Sequence, residues 1–269
     1  MSFHEFGDAV RRRWRNGPAN NLVVVEKIGS TNELARAYAE RFFEDADVPP
    51  TTFVVAHEQT AGRGRETGRQ WESRAGNGAY ITLVHCLGES PDGEVLQSVP
   101  ILLGTSLCEA LRSFAPDAGL KWPNDLFAGG RKLGGILIET CTSEDAEVAV
   151  VAGFGINLNQ PVQPELEQTA TCLREAAQGD VPDLPGLVVH LCEHVSEGLA
   201  QLGDLGGAVD RYRSLSIHSE GDMLSCRLGD REIHGIFRGF DERGCLCLEA
   251  DGEQVTVAAG EVILEHPPL

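Results

Sequence analysis

Apolar positions along the chain fall into helical and strand periods up to about residue 217, and into short strands only beyond it. Residues 21–28, NLVVVEKI, form a β-branched apolar run that predicts a buried strand. Residues 30–46 follow with Leu34, Tyr38 and Phe42 at helical intervals, and with Ser30 and Glu33 spaced as a capping box. Strands are predicted at 51–59 (TTFVVAHEQ) and 78–87 (GAYITLVHCL), and a long apolar helix at 94–114. LKWPND ends a short strand at a proline-containing turn. Two further strands, 132–141 and 147–158, are closed by a hairpin around 143–146, and helices are expected at 184–202 and 208–215.

Strands mixed with helices, some strands joined directly by a hairpin, predict the α/β (α+β) class: a mixed sheet with helices packed on it. From 217 the segments DMLSCRL, EIHGIFRGF, CLCLEA, EQVTVAA and EVILE alternate with turns such as Leu228-Gly229-Asp230 and Asp251-Gly252. Short, regularly spaced strands predict a small β-barrel, so the expected division is 1–216 and 217–269.

Composition narrows the classes. The chain has 269 residues, of which 42% are hydrophobic and 23% charged, as in ordinary globular proteins. No apolar run approaches the roughly 20 residues needed to cross a bilayer, and the N-terminus lacks the apolar stretch of a secretory signal. The eight cysteines form no CxxC pair, which fits reduced thiols in a cytoplasm. With 41 Asp+Glu against 22 Lys+Arg, the net charge of −19 repels phosphate backbones and argues against unspecific nucleic-acid binding.

Against that charge, three segments stand out. HEQTAGRGRETGRQW, residues 57–71, gathers Arg63, Arg65 and Arg69 among Gly62, Gly64 and Gly68 directly after a predicted strand. Arginines offer forked, permanently charged donors to carboxylate or phosphate, and glycines allow close backbone approach. The spacing matches neither a Walker A loop nor the dinucleotide fingerprint. On these residues alone, an anion site and a solvated surface loop both remain open. KWPNDLFAGGRKLGGILIE holds two of the chain's three lysines, Lys121 and Lys132, around Trp122, Asn124, Asp125, Gly134 and Gly135. AGFGINLN places Gly153, Gly155 and Asn157 at the end of a strand, which a plain turn explains equally well. His190 to His194 match the inverted zinc-protease pattern HxxEH, but nothing nominates a third ligand, so a helix surface is expected.

GRGRETGRQW, KWPND and RKLGGILIE, in that order, resemble the biotin protein ligases, the biotin–[acetyl-CoA-carboxylase] ligases. STNELA upstream, GFGINLN downstream and a C-terminal unit ending in AAGEV match as well, so the resemblance covers nearly the whole chain. It implies a catalytic domain related to class II aminoacyl-tRNA synthetases and lipoyl ligases, followed by an SH3-like barrel. It also implies a two-step reaction: biotin and MgATP give biotinyl-5′-AMP, and a lysine of a biotin carboxyl carrier domain then takes the biotin. About twenty residues precede the first strand, too few for the DNA-binding domain of some family members, so the ligase-only type is expected, without DNA or membrane as partner. Homodimers are common in the family and are a possibility here.

By position, the resemblance implies that Ser30, Thr31, Asn32 and Gln59 line the biotin head-group pocket. Gly62, Arg63, Gly64 and Arg65 would fold over biotin and its adenylate. Lys132 would hold the biotin carboxylate and the α-phosphate, and with Arg63 and Arg65 forms the expected catalytic set. Gly135 and Gly153 would contribute backbone; Trp71, Lys121, Asn124 and Asn157 would adjoin the adenylate; Asp125 would orient the carrier lysine or a Mg²⁺. No residue is assigned as a metal ligand proper. Glu66-Thr67 depart from the usual GRGRRGR and put Arg69's role in question. A lipoate or octanoate ligase and a biotin-binding regulator without turnover are the competing readings.

Overall fold

The computed structural model describes residues 1–14, 21–45, 47–65, 70–159, 169–229 and 231–263. A seven-stranded sheet forms its centre, in the order β1-β2-β3-β7-β6-β5-β4. The strands are β1 (Asn21–Ile28), β2 (Thr51–Gln59), β3 (Gly78–Glu89), β4 (Gly119–Lys121), β5 (Asp125–Ala128), β6 (Arg131–Thr142) and β7 (Glu147–Asn157). β1 and β2 are parallel and the remaining pairs antiparallel, so the sheet is mixed as expected.

Alternation along the strands divides the core in two. Val54, Val84, Ala149 and Val151 point toward α2 (Thr31–Glu44), where they pack with Ala35 and Ala39. Phe53, Val55, Leu83, Val150 and Ala152 point to the other face and a larger core built with α3 (Gly93–Arg112) and α5 (Leu184–Leu199). α1 (Phe3–Trp14) and α6 (Leu205–Leu215) complete that side, and the one-turn α4 (Leu173–Ala176) follows β7. α1 is fastened to α5 by the Arg13–Asp183 ion pair, Asp183 being the N-cap of α5. Neither α1, α4 nor β5 was predicted.

The capping box is only half realised. Ser30 has N-cap backbone angles (φ −149°, ψ 136°), but its side chain makes no cap hydrogen bond. The first helical N–H, that of Thr31, instead donates to Gln59 Oε1 on β2 at 2.8 Å, so a neighbouring strand satisfies a donor the helix leaves open.

Beyond α6, β8 (Met223–Leu228), β9 (Arg231–Phe240), β10 (Leu246–Ala250), β11 (Glu253–Val257) and β12 (Glu261–Ile263) form an antiparallel sheet ordered β11-β10-β9-β8-β12. Among the described residues no pairing joins β11 to β12, so the expected closed barrel is not formed there. The three-residue β12 pairs with β8 and leaves β11 as the other edge. Leu224, Phe237, Phe240, Leu246 and Val262 continue the main core, and the Tyr212 ring meets Phe240 edge-on at 5.3 Å.

Candidate functional site

The start of α2 and the ends of β2, β6 and β7 open onto one cleft of about 1290 Å³. All sixteen residues singled out as site candidates line it. Its innermost end is a chain of hydrogen bonds. Thr31 Oγ1 donates to Gln59 Oε1 at 3.0 Å, and Gln59 Nε2 donates to Ser73 Oγ at 2.9 Å. Thr82 Oγ1 lies 2.7 Å from both Thr31 Oγ1 and Asn32 Oδ1, and Asn32 Nδ2 donates to Glu139 Oε2 at 2.9 Å. Ser30, Thr31 and Asn32 are buried, so this polar end is preformed. Gly153 on β7 makes room for it: a Cβ there would stand 2.2 Å from Asn32 Oδ1.

The arginine segment folds back as a small lobe. Gln59 bridges Ser73, Arg63 bridges Gln70, and Trp71 N donates to Gly62 O at 2.9 Å. Gly62 is required at that crossing, because a Cβ would lie 2.4 Å from Trp71 O. Arg63 Nη2 reaches Glu139 Oε2 at 3.3 Å, and Arg65 Nη1 donates to Gly260 O of the C-terminal unit at 2.7 Å. Gly64 lines the cleft between them. Glu66, Thr67, Gly68 and Arg69 lie outside the described residues, and with them the departure from the GRGRRGR pattern.

Opposite the lobe stands Lys132. Its Nζ is 2.7 Å from Asp125 Oδ1 and 5.7 Å from the centre of the Trp71 ring. β5 and β6 pair Asp125 with Gly135, where a Cβ would crowd Lys132 Cε at 3.3 Å. Gly155 lets Trp71 lie against β7, since a Cβ would come within 2.5 Å of Trp71 Nε1. That indole nitrogen is buried, with no hydrogen-bond partner among the described residues. Asn124 Nδ2 and Asn157 Nδ2 are engaged with Ile136 O and Thr171 O at 2.7 and 3.0 Å, so both brace backbone at the cleft wall. Lys121 Nζ lies 5.4 Å from the Phe127 ring centre.

Several contributors were not singled out in the sequence. Thr82 and Ser73 complete the inner network, Tyr80 donates to Arg74 O at 2.9 Å, and Glu139 accepts from Asn32, Arg36 and Arg63. Burial pushes the Tyr80 hydroxyl's pKa up. The HxxEH histidines stay in a helix context: His190 Nε2 sits 3.0 Å from Ala110 O, and His194 Nδ1 sits 3.0 Å from His190 O. Among the described residues no group of three or more His, Cys, Asp or Glu is placed to hold a metal.

Known proteins share this chain's sequence pattern and fold. Residues 24–157 match the model of the biotin/lipoate A/B protein ligase family, and residues 226–265 match the biotin protein ligase C-terminal domain. The biotin–[acetyl-CoA-carboxylase] ligase of Mycobacterium tuberculosis is 33% identical over 255 residues, spanning 90% of this chain and 88% of that protein. The chain belongs to the biotin protein ligase family. The bifunctional ligase/repressor BirA of Bacillus subtilis is 31% identical, across 86% of this chain and 70% of its own length. A biotin protein ligase of Aquifex aeolicus, solved in complex with biotin and ATP, superposes with a TM-score of 0.72 at 29% identity, covering 91% of this chain and 98% of that one. The cleft of this family member extends from the main sheet to the C-terminal sheet, where Arg227, Gly260 and Glu261 line its outer wall.

Proposed function

We propose that the chain is an ATP-dependent biotin protein ligase that activates biotin as biotinyl-5′-AMP and passes it to a lysine of a biotin carboxyl carrier domain. One observation carries this reading: a preformed polar pocket, an arginine lobe and the Lys132–Asp125 pair share one cleft. The neighbour solved with biotin and ATP supports both substrates.

The first step brings an anionic carboxylate to an anionic phosphate. Two like charges 4 Å apart repel by about 4 kcal/mol at an effective dielectric near 20. Lys132 and Arg63, set into a chain of net charge −19, supply the local cations that offset this. Thr31, Asn32 and Gln59 hold the uncharged head group by hydrogen bonds, Ser30 closes the pocket beside them, and Gly135 and Gly153 let the ligand approach the backbone. Trp71 walls the adenylate next to Lys132, with Lys121, Asn124 and Asn157 around it and Gly62, Gly64 and Arg65 covering it. The protein contributes position and charge and forms no covalent bond to the substrate.

Mg²⁺, where bound, would be held by the ATP phosphates and would supply charge neutralisation there. The donor set fits a metal held by phosphates, since Asp125 is engaged by Lys132 and the described residues offer no carboxylate cluster. We assign residues 1–216 to the catalytic unit and 217–269 to the C-terminal unit that closes the outer wall.

The test uses radiolabelled biotin or lipoate with MgATP and a carrier domain. Label on the carrier from biotin, with biotin-dependent pyrophosphate release, is the expected result. Labelling by lipoate and not biotin would overturn the substrate; binding without pyrophosphate release would overturn the catalysis.

A further inference from the structure

The carboxylate of Glu139 closes the RKLGGILIE segment without an assigned role, yet three side chains converge on it. Asn32 Nδ2 and Arg63 Nη2 both donate to Oε2, at 2.9 and 3.3 Å, and Arg36 donates to Oε1. Asn32 and Arg36 are one turn apart on α2, whereas Arg63 belongs to the lobe. Glu139 lies on β6, opposite Val151 of β7. Its side chain is 19% exposed against 41% for Arg63. Burial opposes its ionisation, but hydrogen bonds from Asn32 and Arg36 and the charge of Arg63 outweigh that and hold its pKa below the ordinary carboxylate range.

Arg36 alone neutralises the carboxylate, so charge balance does not require the second arginine. What the Arg63 contact adds at Glu139 is geometric: the lobe is tied to α2 through one oxygen. A carboxylate accepts and never donates, so it also fixes the Asn32 amide with Nδ2 toward Glu139 and Oδ1 toward Thr82 and Gly153.

We propose that Glu139 is a positioning residue that couples the head-group pocket to the arginine lobe, holding Asn32 in one orientation and Arg63 over the cleft. This rests on the assignment of Asn32 and Arg63 to the ligand site made under Proposed function. It adds a residue through which occupancy of the pocket is felt by the lobe.

The test compares wild type with Glu139→Gln, Arg63→Gln and the double variant, with Glu139→Asp as a second form that keeps the charge and shortens the reach. Limited trypsin cleavage after Arg65 in ligand-free protein reads the lobe; the KM for biotin reads the pocket. Glu139→Gln should speed cleavage about two- to fivefold, the range of a partly exposed ion pair, raise the biotin KM through Asn32 and lower kcat through Arg63, whereas Glu139→Asp should fall between it and wild type. In the cleavage readout the double variant should be no worse than Arg63→Gln, because Glu139 reaches the lobe through that one contact. Unchanged cleavage, or losses that add in the double variant, would overturn the coupling. Cleavage needs no ligand, so a wild-type chain that failed to turn over biotin would strike the functional reading while the lobe's attachment was still decided.

Discussion

Lys132 Nζ and Asp125 Oδ1 stand 2.7 Å apart across the β5–β6 turn, beneath the Trp71 ring. The pair fixes where the ammonium points. Lys132→Ala should lower biotin-dependent pyrophosphate release on the order of a hundredfold or more, as removal of transition-state charge donors does. Asp125→Asn, which keeps the shape but frees the ammonium, should cost about tenfold in kcat. Both should melt near wild type, because part-exposed pairs contribute little to stability. Wild-type release by the Lys132 variant would remove it from the mechanism.

Two glycines of β7 carry the site's close contacts. A Cβ at 153 would stand 2.2 Å from Asn32 Oδ1, and one at 155 would stand 2.5 Å from Trp71 Nε1. Gly153→Ala should therefore act on the head-group pocket and raise the biotin KM at least about tenfold. Gly155→Ala should displace Trp71 from beside Lys132 and act on kcat. Each should also cost about 1–3 kcal/mol of stability from overpacking. Gly206, where an added Cβ would meet nothing within 4 Å, is the control; equal effects of Gly206→Ala and Gly153→Ala would contradict the steric account.

The central strands were legible because β2, β3 and β7 are apolar runs long enough to be buried on both faces, as their burial confirms, while β6 is an apolar run only partly buried. α1 was not: Phe3, Phe6, Val10 and Trp14 have helical spacing, but charged neighbours dilute the signal, and the contact with His57 that orders Phe6 is tertiary. β5 has four residues and borrows its pairing from β4 and β6. Strand spacing predicted four or five C-terminal strands, and five form among the described residues, but spacing carries no information on which edges meet. In the site, Lys132 and Arg63 were visible because cations are scarce in an acidic chain. Thr82 was not, since a threonine inside YITLVH reads as strand propensity until Thr31 and Asn32 are brought against it.

The two units share an interface centred on Trp122. Its ring is buried, its backbone N–H donates to His218 Nε2 at 3.2 Å, and its indole N–H donates to Gly244 O at 3.2 Å. A Cβ on Gly244 would collide with Ile101 of α3, so the contact is tight. Trp122→Ala should destabilise by about 3–5 kcal/mol, and a fragment of residues 1–216 should unfold at a clearly lower temperature than the full chain. A fragment melting with the full chain would show that the C-terminal unit does not support the first.

His218 gives that interface a pH dependence. Burial, aided by the charge of Lys121 and opposed by Asp222, pushes its pKa from 6.5 down to about 4. The neutral ring accepts the Trp122 N–H through Nε2, a contact the imidazolium cannot make. The unfolded chain takes up a proton near pH 6.5 while the folded chain resists until about 4. The stability is therefore full above pH 6.5 and is lost as pH falls toward 4, by a contribution of about 3 kcal/mol. His57, His85 and His190 are also depressed by burial and act with the same sign, so the His218 share must be read as a difference. His218→Gln, which can still accept the Trp122 N–H but does not titrate, should flatten the fall in denaturation midpoint between pH 6.5 and 4. Parallel curves for variant and wild type would place the pH dependence elsewhere than at this interface.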